Sequence, residues 1–133
     1  MYSVSAYNPI SMVVNAAVTT SSTGATTTAV DMATYASLAA REVMVVALPG
    51  AFTTCATCTF TVEECDTTNG TYSAPVAGTT TATITSTQGA AGTAVKMPVA
   101  IQKRYVHWKY TLDTTGSMPL AAVLFAAWRE ANS

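Results

Sequence analysis

The residues best suited to chemistry in this chain are its one histidine, His107, and its three cysteines, Cys55, Cys58 and Cys65. Cys55-x2-Cys58 has the spacing of a zinc knuckle, and Cys65 with His107 would complete a Cys3His set. The surrounding pattern argues against it. In "TCTFTVEEC" Cys58 and Cys65 fall an odd number of positions apart, so a strand points them to opposite faces. The second Cys-x2-Cys pair of a zinc ribbon is also missing. An odd cysteine count excludes a complete disulfide framework, and free thiols made in a reducing cytosol are expected. We expect no metal and no cofactor, with Cys58 a small core residue beside Phe60 and Val62.

Glu63, Glu64 and Asp66 form the acidic cluster. Successive carboxylates on a strand point apart, and "DTTNG" lacks the spaced ligands and distal Glu of a calcium loop, so a solvated strand end is expected. His107 lies in "RYVHWKYTL" (104–112) with no acidic residue beside it in sequence. It is read as a histidine on a sheet surface or at a protein contact, and as a poor catalytic candidate. No G-x-S-x-G, Walker A or G-x-G-x-x-G sequence occurs, so the chain is expected not to be an enzyme.

Four of the six basic residues, Lys96, Lys103, Arg104 and Lys109, fall in or near the same stretch, with Tyr105, Trp108 and Tyr110 interleaved. Basic and aromatic residues interleaved in this way suggest a single-stranded nucleic-acid platform. Alternation separates them, however. Val106, Trp108, Tyr110 and Leu112 share one face, and Tyr105, His107, Lys109 and Thr111 share the other. With a pI of about 5.6 the chain also lacks the basic footprint of such proteins, and no nucleic-acid partner is expected.

The elements that carry these residues are strands. In "TCTFTVEEC" the apolar Cys58, Phe60 and Val62 alternate with Thr57, Thr59 and Thr61, the pattern of a half-buried strand with a hydroxyl-rich outer face. Asn69-Gly70 predicts a type I′ turn returning the chain into "TYSAPV". Segments 11–18, 26–32 and 79–86 read as further strands. Segment 41–49 reads as a strand buried on both faces, and 92–100 as an edge or broken strand because of Pro98. "TQGAAG" (87–92) and "TTGS" (114–117) read as turns, and 31–42 as holding a helical turn. "PLAAVLFAAWREA" has the propensity of a helix, with Ser117 as a possible cap. Seven to nine short strands indicate an all-β, antiparallel β-sandwich or barrel.

With 133 residues the chain is one domain by length, and half of it is hydrophobic. Charged residues make up 10% against about 25% in ordinary soluble domains, and the net charge is −1. Thr and Ala supply more than a third of the chain. Such a surface dissolves yet desolvates readily against a partner, which favours a protein that lives in an assembly. No apolar run approaches the ~20 residues of a membrane span, so no membrane partner is expected. The first basic residue is Arg41, which predicts no secretory signal peptide.

In order, three stretches resemble the capsid decoration, or cement, proteins of tailed bacteriophages: "AVDMATYASL" running into "REVMVVAL", "TFTVEECDTTNGTYSAPV", and "AIQKRYVHWKYTLDTTGSMPLAAVLFAAW". They cover residues from about 29 to 128. The chain departs from the family pattern at His107-Trp108-Lys109, in the cysteines, and in an extended N-terminal arm over 1–28. The resemblance implies a jelly-roll β-sandwich over 29–133 and turns 119–128 from helix to strand. It also implies a virion protein on the outer capsid surface, made in the host bacterial cytoplasm. Its partners would be the major capsid protein and itself, as homodimer or homotrimer. The candidate contacts are Tyr2, Tyr7 and Ile10 of the arm and Tyr105, His107 and Lys109 of the polar-aromatic face. Alternatives are a tail-tube, neck or fibre-attachment protein, or a zinc-stabilised or nucleic-acid-binding module.

Overall fold

A computed structural model describes residues 6–20, 25–26, 28–35 and 42–128. The elements are β1 (Ala6–Thr20), β2 (Ala25–Thr26), β3 (Val30–Asp31), a 3-10 turn (Met32–Tyr35), β4 (Glu42–Pro49) and β5 (Thr57–Cys65). They continue with β6 (Ala77–Gly78), β7 (Thr81–Thr85), a short helix α1 (Ser86–Ala91), β8 (Val95–Ala100), β9 (Tyr105–Leu112) and β10 (Gly116–Trp128). The protein is all-β, built from two antiparallel sheets. One runs β1-β10-β4-β8-β6, and the other runs β2-β9-β5-β7 with β3 also paired to β9.

Period-two sequence gives the sheets one shared core. From the second sheet come Cys58, Phe60, Val62, Ile84, Val106, Trp108 and Leu112, and from the first Val43, Val45, Ala47, Met97, Val99, Met118 and Leu120. Fully burying a side chain such as Phe60 contributes roughly 1.5–3 kcal/mol. The alternation expected for "TCTFTVEEC" and for the Val106, Trp108, Leu112 half of β9 is therefore the packing that forms.

Segment 119–128 is the strand that the resemblance implied, and three other local readings are corrected. The helix propensity of "PLAAVLFAAW" is overridden, because β10 lies between β1 and β4 and pairs Leu120 to Ala126 with Pro49 to Val43. Two flanking strands satisfy its backbone, and Met118 and Leu120 face the core, which outweighs propensities of a few tenths of a kcal/mol per residue. "TQGAAG" is not a turn but most of α1. Thr85 and Gln88 form a reciprocal capping box, and Gly92 closes the helix in the left-handed conformation at φ 65°. β4 is not buried on both faces: Val43, Val45 and Ala47 are covered, Met44 and Val46 are half-covered and Leu48 is exposed. Finally, neither Asn69 nor Gly70 has positive φ, so the type I′ hairpin does not form. The turn runs from Thr67 to Gly70, with the Gly70 amide donating to the Thr67 carbonyl. Gly70 is needed there because a Cβ would lie 2.5 Å from Cys65 Sγ.

Two carboxylates fix the loops between strands. Glu64, only 2% exposed, accepts from the Gln102 and Lys103 amides at 2.8 and 3.1 Å and so anchors the β8–β9 connection. Its burial corrects the expectation of a solvated strand end. Asp113 accepts from the Ala56 and Thr57 amides at the start of β5, and these bonds hold its carboxyl below the usual range. Removing the Glu64 carboxylate strands two amides, so Glu64→Ala should lower the free energy of unfolding in urea by about 1.5–3 kcal/mol.

Candidate functional site

β9 lays His107 beside β5, with Glu63 as its register partner. The imidazole Nε2 donates to Glu63 Oε2 at 2.7 Å. The loop after β5 turns back at Ser73, which exchanges two backbone bonds with Glu64, and this brings Tyr72 over the histidine. The two rings stack with centroids 3.8 Å apart and planes 11° from parallel. The Tyr72 hydroxyl donates to the Thr68 carbonyl, and burial raises its phenol above the ordinary range. Covered in this way, His107 is 8% exposed. The expectation that it is displayed is corrected: alternation puts it on the outer face of the sheet, and a residue from a distant part of the sequence roofs it. Sequence spacing could not announce this partner, because Tyr72 reaches it through an irregular loop.

The arrangement is a latch. The histidine donates to the carboxylate and stacks on the phenol, whose hydroxyl is held by Thr68. Tyr105 and Lys109, the other two candidates on this face, are both half-buried. Arg104 lies over the Tyr105 ring at 5.1 Å and makes a two-pronged ion pair with Asp31, tying the end of β3 to the residue before β9. This pairing holds Asp31 below the usual carboxylate range. Lys96 is exposed on β8 of the first sheet, whereas Lys109 belongs to β9 of the second, so the basic residues do not make one stripe.

All three thiols are buried and free. Cys58 lies in the core, where burial pushes its thiol up to about 11. Cys65 lies on the other side of β5, under Gly70 and 4.0 Å from Thr67 Oγ1. Cys55 donates to the Ser117 carbonyl. The described residues contain no cluster of three or more potential metal ligands.

The outer faces of the two sheets differ in chemistry. On the second, Thr57, Thr59 and Thr61 are paired with Thr85, Thr83 and Thr81, a threonine array that gains from β-branching and stays wet. On the first, Met44, Val46 and Leu48 line β4, with Leu48 42% exposed. Met44 is paired with the exposed Pro98 of β8. The β10 residues opposite Met44, Val46 and Leu48 are Phe125, Val123 and Ala121, so the apolar sequence continues across the strands. Of the N-terminal candidates, Tyr2 lies outside the described residues. Tyr7 and Ile10 belong to β1, where Tyr7 is paired with Ala127 and Ile10 sits at a register irregularity.

Comparison of the chain with protein-family models, with curated proteins and with solved structures finds no match in any of the three.

Two expectations follow. Because the folded state holds the Cys58 proton more tightly than the unfolded chain, its contribution to stability is complete below the ordinary thiol range near 9 and lost as pH rises towards 11. Urea midpoints from pH 8 to 11 should therefore fall more steeply for the parent protein than for Cys58→Ala. In His107→Ala, Tyr72 loses a stacking partner worth about 0.5–1.5 kcal/mol. Chymotrypsin should then cut after Tyr72 up to about tenfold faster, read by mass spectrometry of the fragments.

Proposed function

We propose that this chain is a non-enzymatic structural virion protein, a decoration or cement protein on the outer surface of an icosahedral phage head. The observation that carries the reading is the first sheet's outer face, where Met44, Val46, Leu48 and Pro98 form an apolar strip bordered by the exposed Lys96 opposite Val46, on a chain of very low charge. Apolar sheet faces of this kind serve as contact surfaces in assemblies. The three stretches that resemble the family fall on β3 with β4, on β5 with its return, and on β9 with β10, in order.

The finer fold reading is a jelly roll whose first strand, β1, comes from the segment read as an N-terminal arm. Taking β2 and β3 as one interrupted strand and β6 as a short edge addition leaves eight strands. The first pairs with the last, the second with the seventh, the third with the sixth and the fourth with the fifth. Double Greek keys of this type build many viral capsid domains, and the pairing supports the same reading here. Fold alone does not assign function, so the surface chemistry has to carry it. The N-terminal segment with Tyr2, Tyr7 and Ile10, and the face bearing Tyr105 and Lys109, are assigned to contacts with neighbouring copies.

The mechanism is linkage. A protein that binds the assembled lattice but not dissociated capsomers stabilises the lattice by RT ln(1 + [L]/Kd) at each site, and many copies multiply the effect. Binding through an apolar strip depends little on salt, unlike binding through charges.

The test is to mix the purified protein with expanded heads that lack it. Stoichiometric binding and a raised capsid melting temperature are expected, nearly unchanged between low and physiological salt. Leu48→Asp should weaken binding by about tenfold or more, because it places a charge in the desolvated contact. Failure of the parent protein to bind or stabilise the heads would contradict the reading.

A further inference from the structure

The sheets of this protein end in edges of unequal character. β6, β2 and β3 are two residues each, and β7 is five. β1 has 15 residues, which at ~3.3 Å per residue span roughly 50 Å. It pairs with β10 on one side and, among the described residues, with no strand on the other. Proteins blunt long edges with charged side chains, most often Lys, or by keeping the edge short. β1, "AYNPISMVVNAAVTT", contains no Asp, Glu, Lys or Arg. Its register irregularities fall between Pro9 and Ser11 and between Asn15 and Val18, leaving Ser11 to Asn15 as a regular run against Leu124 to Leu120.

We infer that this open edge of β1 is the seam between two copies of the chain, paired antiparallel about a two-fold axis within Ser11–Asn15 so that the two sheets become one. The inference rests on the assembly reading above and adds which surface meets a second copy. Three observations select a copy of the chain as occupant. An isologous contact sets residues near the axis opposite their own copies, so any charge there would face a like charge. The strand meets that requirement along its whole length. A net charge of −1 gives two copies little long-range repulsion. The edge also adjoins the apolar β10 and β4 face, so dimerisation doubles the strip offered to the capsid while leaving it uncovered.

With the axis at Val13, Met12 faces Val14 of the second copy, and their register with Val123 and Ala121, which oppose Val46 and Leu48, puts both positions on the outer face of the sheet. Met12→Lys/Val14→Lys therefore puts lysine opposite lysine away from the core, a change a monomer accommodates. Sedimentation equilibrium of the full chain should give twice the chain mass for the parent and the chain mass for the variant at the same concentration. Dimerisation should weaken by about tenfold or more with the circular dichroism unchanged. Hydrogen exchange gives a readout independent of the variant's folding: protection of parent amides within 6–20 should rise with protein concentration across the association range. A parent protein that is monomeric throughout overturns the seam, as does a variant that stays dimeric or a β1 protection independent of concentration. A monomeric parent that still binds and stabilises heads refutes the seam alone, whereas a dimer that ignores heads refutes the decoration reading alone.

Discussion

A single apolar layer between two sheets is the constraint on which the rest of this molecule depends. Phe60, Ile84 and Trp108 from the second sheet and Val45, Met97 and Met118 from the first are fully buried within it. The layer fixes which half of every strand points inward, and a one-residue slip anywhere would invert a strand. Glu64 at the end of β5 is the polar exception on this inner side, tolerated because it receives the two amides of the β8–β9 connection.

Once the inner faces are committed, the outer faces hold what is left for function. The second sheet turns out a threonine array and a latch of His107, Glu63 and Tyr72 that closes its loop upon itself. The first sheet turns out an apolar strip beside a long uncharged edge. Among the described residues, His107 and Glu63 pair with each other, Glu64 holds the β8–β9 connection, and the three thiols are buried. That distribution suits a protein whose work is to be held in a lattice.

Much of this was legible in the alternation itself. Strands 57–65, 81–85 and 105–112 bury the residues that period two assigned to the core, and Cys58 and Cys65 part to opposite sides as their spacing required. What was not legible came from context beyond a local window. β10 reads as a helix until β1 and β4 flank it. α1 carried its signal in Thr85, Gln88 and Gly92, yet its Gly and Thr content pointed to a turn. His107 looked exposed because its roof, Tyr72, arrives through an irregular loop where Asn69-Gly70 predicted a type I′ hairpin.

The central claim is that the apolar face of the first sheet rests on the capsid, and photo-crosslinking reads it directly. A photoreactive phenylalanine derivative replaces Leu48 in one sample and Thr83 of the second sheet in another, and each protein is bound to heads and irradiated. The account predicts crosslinks to the major capsid protein from position 48 and none from position 83. Crosslinks from position 83 alone, or from neither position on decorated heads, would contradict it.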